Sequence, residues 1–110
     1  TSEIAYNIPC YDLVSFLNVF HHIVHFKGFN EADKIMKCLY KKTNKYFIFE
    51  TGQYNEKGLY WSNDLSFMGD SPTEWVFEYL QMLGFSEVKM VSKFKTHLNS
   101  EERGFFICTK

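Results

Sequence analysis

Between residues 11 and 17 the chain reads Tyr-Asp-Leu-Val-Ser-Phe-Leu, with apolar residues on both alternating faces and polar ones only at Asp12 and Ser15. A run of this kind predicts a strand covered on both sides, as in the centre of a parallel sheet. Residues 1–10 read as an irregular lead-in that ends around Pro9. Residues 18–26 leave the strand as helix or loop. From residue 29 the period changes. Ala32, Ile35, Met36 and Leu39 fall at helical spacing, Asn30 is a candidate N-cap, Glu31 and Asp33 suit the helix start, and Lys41 and Lys42 suit its end. A second strand, Lys-Tyr-Phe-Ile-Phe-Glu-Thr, covers 45–51.

Residues 52–70 form a long connection, yet they carry Tyr54, Tyr60, Trp61, Phe67 and Met68, too apolar for an idle linker. The next helix is clearly punctuated. Ser71 is the expected N-cap, Pro72 stands at the first helical position, Glu74 completes a capping box and Gly84 ends the helix. Trp75, Val76, Tyr79, Leu80 and Leu83 form its expected buried stripe. Residues 86–95 and 103–109 read as a third and a fourth strand. The seven residues between them allow these two to lie as antiparallel neighbours. Strands alternating with helices predict an α/β sheet with right-handed crossovers.

Composition narrows the function classes. The chain has 110 residues, room for one domain over 1–110, and is 45% hydrophobic and 19% aromatic, which disfavours disorder. Twelve basic and thirteen acidic residues nearly cancel, and no basic block argues for nucleic acid. No run approaches a membrane span and no signal peptide is evident. The cysteines Cys10, Cys38 and Cys108 are odd in number and widely spaced, which points to a reducing, cytoplasmic compartment. The chain opens on Thr1 rather than Met, which suggests sequence upstream of it.

Four segments together resemble one family. These are YDLVSFLNVFHHI (11–23), KYFIFETG (45–52), LGFSEVKMV (83–91) and RGFFICTK (103–110). In order and spacing they are similar to strands four to seven of a class I S-adenosylmethionine-dependent methyltransferase. The resemblance implies the C-terminal half of a Rossmann-like sheet, mostly parallel with a final antiparallel strand. It also implies S-adenosylmethionine as cofactor and a small-molecule or sugar-like acceptor. The Gly-rich loop that receives the cofactor in that family has no counterpart, because none of the six glycines stand as Gly-x-Gly. A chain of this kind alone is expected to bind cofactor weakly or not at all. A homodimer or a separate N-terminal half is the expected partner. The alternative reading is a non-catalytic, truncated module that acts through dimerisation or a partner chain.

Ligands in such sheets sit beyond the carboxyl ends of the parallel strands. The resemblance therefore implies Leu17, Asn18 and Val19 at the cofactor rim, with Asn18 and Val19 near the methionine portion. Asn18 can equally cap the next helix. Glu3 and Ile4 stand where a loop touching adenine would lie. His21 and His22 are candidates for a general base and a substrate contact, and equally for packing at the helix start. Glu50 ends its strand at the same rim, where it can meet substrate, orient a neighbour or face solvent. Gln53, Tyr54 and Trp61 are expected at the substrate mouth, the aromatic loop either closing over an acceptor or packing the sheet. His22 and His25 share a helix face, but no third ligand is evident, so no metal is expected.

Overall fold

The computed structural model describes residues 2–110, with side chains from residue 4 onward. The order is α1 (Ser2–Asn7), β1 (Tyr11–Leu17), α2 (Phe20–Lys27), α3 (Phe29–Lys42), β2 (Thr43–Glu50), a 3-10 segment (Ser62–Met68), α4 (Pro72–Leu83), β3 (Glu87–Lys95) and β4 (Glu102–Thr109). The lead-in thus contains a helix where an irregular segment was expected. Its Ala5 is buried in the core that α3 shares, and tertiary packing decides such short helices more than propensity does.

The four strands form one mixed sheet in the order β1-β2-β4-β3. β1 and β2 pair in parallel, with Leu13 beside Tyr46 and Leu17 beside Glu50. β4 runs antiparallel to both β2 and β3. The last two strands are therefore antiparallel neighbours, as their short connection allowed. The expected mostly parallel sheet needs correction. Three strands share one direction, but β4 inserts between β2 and β3 and leaves one parallel pair and two antiparallel ones. A second correction concerns β1. Its sequence suits a central strand, but among the described residues it lies at the sheet edge and pairs only with β2.

The core lies on one face of the sheet. Phe47, Phe49, Phe106, Cys108 and Val88 point into it, with Phe20 and Val24 of α2, Ala32, Ile35, Met36 and Leu39 of α3, and Val76, Tyr79 and Leu80 of α4. Phe20 meets Phe49 edge-on at 5.8 Å between ring centres and contacts Tyr79 at 5.9 Å, which ties α2 and α4 to the sheet. Trp75 and Leu83, expected in the stripe of α4, are only partly buried.

Helix ends depart from expectation in detail. α3 begins at Phe29 directly after Gly28, whose φ of 89° joins α2 to α3 without a linker, and no Asn30 cap forms. Ser71 stands at the N-cap of α4 with Pro72 behind it, but its side chain makes no capping bond. Gly84 ends α4 in the left-handed conformation, as expected. No helix among the described residues is long and apolar enough to cross a membrane.

Candidate functional site

Because β1 and β2 are parallel neighbours, their carboxyl ends arrive side by side, and the chain leaves both at one rim. β1 passes into Asn18, which adopts φ 59° and donates its N–H to the carbonyl of Glu50 at 3.2 Å. Asparagine tolerates this left-handed conformation better than most residues. α2 starts two residues later, with Val19 at its N-cap and no side-chain cap. The Asn18 side chain is used elsewhere.

Its Oδ1 accepts a 2.8 Å hydrogen bond from Nη1 of Arg103, on β4. The same Nη1 donates to Glu50 Oε2 at 3.3 Å. Arg103 Nε donates to both oxygens of Glu56, at 3.1 and 3.0 Å. Glu56 in turn accepts from the Gln53 N–H at 2.6 Å and from Asn99 Nδ2 at 3.1 Å. Arg103 and Glu56 are 1% and 0% exposed, so this is a buried ionic network spanning β1, β2, the following loop and β4. Arg103 Nη2 is buried without a partner. Burial raises the Glu50 carboxyl above its ordinary pKa, and the Arg103 charge pulls it back only in part.

His21 points inward from α2. Its Nδ1 accepts from the Gly52 N–H at 2.8 Å and lies 3.1 Å from the Thr51 hydroxyl. An Nδ1 that accepts from a backbone amide is unprotonated, so the neutral ring carries its proton on Nε2. Burial, then the neighbouring His22 and Arg103, push its pKa down to about 3. The ring lies 4.3 Å from Trp61 and 4.2 Å from His22. Gly52 makes this packing possible: a Cβ there would sit 2.5 Å from Trp61 and 2.8 Å from His21. Gly52→Ala is expected to destabilise by about 1–3 kcal/mol, as overpacking of a filled core does. Thermal unfolding measures it, and Trp61→Leu in the same chain should recover part of the loss. An unchanged midpoint would mean the loop after β2 yields freely.

His22, in ring contact with His21, is half-exposed. Its Nδ1 lies 3.1 Å from the Tyr60 hydroxyl. Its pKa is lowered by desolvation, then by Arg103 and His25, so it is neutral at pH 7. His25, the histidine with spacing to share an ion with His22, bonds Asp64 of the 3-10 segment instead. These contacts fasten the long connection to α2.

The sequence candidates thus divide. Asn18, His21, His22 and Glu50 come together at the rim, with Leu17 and Val19 exposed beside them at 40% and 37%. Gln53 and Trp61, expected at the mouth, are closed to solvent. Gln53 accepts from the Gly104 N–H through Oε1 and donates to Thr73 through Nε2, so it ties the loop to β4 and α4. Tyr54 is half-exposed, beneath the Lys57 ammonium. Tyr60 is the open aromatic of this loop. Ile4 is exposed on α1, and the Glu3 side chain lies outside the described residues. Sequence reasoning missed Arg103, Glu56 and Asn99. The available signal was an arginine at the head of an otherwise apolar strand, RGFFICT.

No protein-family model and no curated protein sequence matches the chain. Solved structures do. The chain superposes on the bifunctional kinase–methyltransferase WbdD with a TM-score of 0.74 and 27% identity, over 97% of this chain and 22% of that one. It also superposes on magnesium protoporphyrin IX methyltransferase (ChlM) from Synechocystis PCC 6803 with bound SAH. There the TM-score is 0.60 and the identity 17%, over 97% of this chain and 48% of that one. The second likeness is one of fold alone. The fold is methyltransferase-like, and the chain spans about a fifth of the first protein and about half of the second.

Proposed function

We propose that the chain forms the catalytic side of a class I S-adenosylmethionine-dependent methyltransferase, as the C-terminal half of a Rossmann-like domain, acting on a small-molecule or sugar-like acceptor. The observation that carries this reading is the gathering of Asn18, His21, His22 and Glu50 where two parallel strands end, in a fold whose solved neighbours are methyltransferases. The residues fit one wall of a cofactor site. Leu17 and Val19 offer exposed apolar surface. Because Arg103 occupies Oδ1 of Asn18, the exposed Asn18 amide keeps Nδ2 as a donor for the ligand.

Bound S-adenosylmethionine supplies a methyl group on a cationic sulfur. The chain's own residues act on the acceptor side. His22, neutral and half-exposed, takes the proton of an acceptor hydroxyl as that oxygen attacks, with the Tyr60 hydroxyl holding the ring through Nδ1. In this role Tyr60 accepts from Nδ1–H, leaving the Nε2 lone pair free for the proton. His21 carries its proton on Nε2 and has Nδ1 occupied, so it serves as a positioning residue that packs His22 against Trp61. Glu50 and Arg103 hold Asn18 in its left-handed turn. The rate comes mainly from orientation of the two reacting groups.

Asn18→Asp tests the cofactor wall. The new carboxylate can still accept from Arg103, so the fold is expected to survive. The outward donor becomes an acceptor, and S-adenosylhomocysteine affinity in a complete methyltransferase unit should fall about tenfold or more. Calorimetry reads it directly, and an unchanged affinity would remove Asn18 from the site. His22→Gln should lower methyl transfer with cofactor binding intact. A second reading, a non-catalytic module working through dimerisation or a partner chain, draws support from the open edge of β1. It requires that no unit containing this chain bind S-adenosylhomocysteine.

A further inference from the structure

The amino ends of β1 and β2 also meet, at the opposite end of the sheet from Asn18 and Glu50. Tyr11, the first residue of β1, pairs with Thr43, the first of β2. This register sets Cys10 beside the last turn of α3, where its thiol donates to the Lys41 carbonyl at 3.9 Å. Cys38 precedes Lys41 by three residues and Lys42 by four, so one side of α3 presents all three. Cys10, Cys38, Lys41, Lys42 and Tyr6 line one pocket of about 370 Å³, a volume that suits a small ligand. Two thiols and two ammonium groups face it, and no carboxylate does. Asp12, the acid nearest to Cys10 in sequence, bonds Asn44 and meets Lys45 instead. The three cysteines differ in access: Cys10 is exposed, Cys38 partly so, and Cys108 is closed in the core, where burial pushes its thiol up to about 12.

We propose that Cys10 and Cys38 form a redox-active thiol pair, and that the pocket they share takes an anionic low-molecular-weight disulfide as the oxidant. The pocket supplies the selectivity, because the Lys41 and Lys42 charges attract an anion to the mouth where the exposed thiol stands. The Cys10 thiolate attacks one sulfur of the bound disulfide, forming a mixed disulfide and expelling the first ligand thiolate. The Cys38 thiolate then attacks Sγ of Cys10, forming the Cys10–Cys38 bond and expelling the second. The two thiol protons pass through water to the two ligand thiolates, so the pair is oxidised and one disulfide is reduced to two thiols. Closure needs the two cysteines at disulfide spacing. Cys10 belongs to the connection between α1 and β1, outside both elements, so its backbone has the freedom to approach α3. The product ties the entry of β1 to α3.

The test treats the reduced chain with oxidised glutathione as the anionic probe and with hydroxyethyl disulfide as the neutral one, then alkylates the remaining thiols and maps the peptides by mass spectrometry. Oxidised glutathione should link the Cys10 and Cys38 peptides of one chain, with Cys108 alkylated only after unfolding. Cys38→Ser should stop at a glutathione adduct on Cys10. Cys10→Ser, at an exposed position, should keep the unfolding midpoint and leave Cys38 a thiol over the same time. Lys41→Gln with Lys42→Gln should slow oxidised glutathione about fivefold or more while the rate with hydroxyethyl disulfide holds. Adducts on both cysteines without a link, a link between two chains, or no reaction at Cys10 each overturn the proposal. Equal slowing of both probes by the lysine substitutions overturns the anionic ligand. None of these outcomes depends on methyl transfer, because the pocket lies at the far end of the sheet from that site.

Discussion

Replacing Arg103 by Met should unfold the rim and cost about 3–5 kcal/mol, the usual effect of removing one partner from a buried ionic group. Two carboxylates depend on this side chain. Glu56 takes both its oxygens' bonds from Nε, and Glu50 takes one from Nη1. Without the guanidinium both would be buried charges with no cation. Glu56 keeps the Gln53 amide and Asn99 as donors, whereas Glu50 keeps the Asn18 N–H. The loss relative to the unsubstituted chain should therefore shrink in acid. Its Glu50 pKa, already raised by burial, rises further above the unfolded value. Such a group stabilises the fold fully below the unfolded pKa and loses that contribution as pH rises through the folded one. Urea midpoints at pH 4 and pH 7 measure both effects. Arg103→Met with Glu56→Gln should recover part of the loss at pH 7. A loss under about 1 kcal/mol would mean the network is open to water, as exposed pairs are.

The second large effect is acid sensitivity through His21. Its folded pKa of about 3 lies well below the ordinary histidine value of 6.5. A histidine held neutral in this way contributes stability that is fully present above the unfolded pKa and is lost as pH falls from 6.5 toward 3. One group of this kind gives a slope of at most about 1.4 kcal/mol per pH unit in that window. The physical cause is plain. A proton on Nδ1 would face the Gly52 N–H, and the charge would be buried between Trp61, His22 and Arg103. Glu50 works in the opposite direction, but only between the ordinary value of 4.5 and its raised folded one. The His21→Gln variant, which keeps an acceptor for Gly52, should show a much flatter curve between pH 6.5 and 4.5. Equal slopes in the two proteins would mean that His21 titrates freely and that its burial is not maintained in solution.

Much of this fold was legible along the chain. The helix over 29–42 rests on a strong period of Ala32, Ile35, Met36 and Leu39, and all four are buried. Pro72 and Gly84 bracket α4 because one has no N–H to lose and the other accepts a left-handed turn. The strands appear within about two residues of their expected bounds, since runs such as Tyr-Phe-Ile-Phe leave few other ways to hide apolar surface. Of the site, Asn18, His21, His22 and Glu50 were legible as residues that follow or end parallel strands.

What only the tertiary structure decided involves partners distant in sequence. Arg103 meets Asn18 across 85 positions and Glu56 across 47, and no local pattern encodes such a pairing. The insertion of β4 between β2 and β3 is likewise a matter of register between strands that are not adjacent in the chain. Gln53 and Trp61 read as mouth residues because loops usually face water. They became interior ones because Gly52 brings the backbone within reach of two rings. β1 shows the division most clearly. Its residues specify a strand meant for burial on both sides, a property of the sequence alone. Which side is covered depends on where the other elements lie, and among the described residues all of the core packs on one.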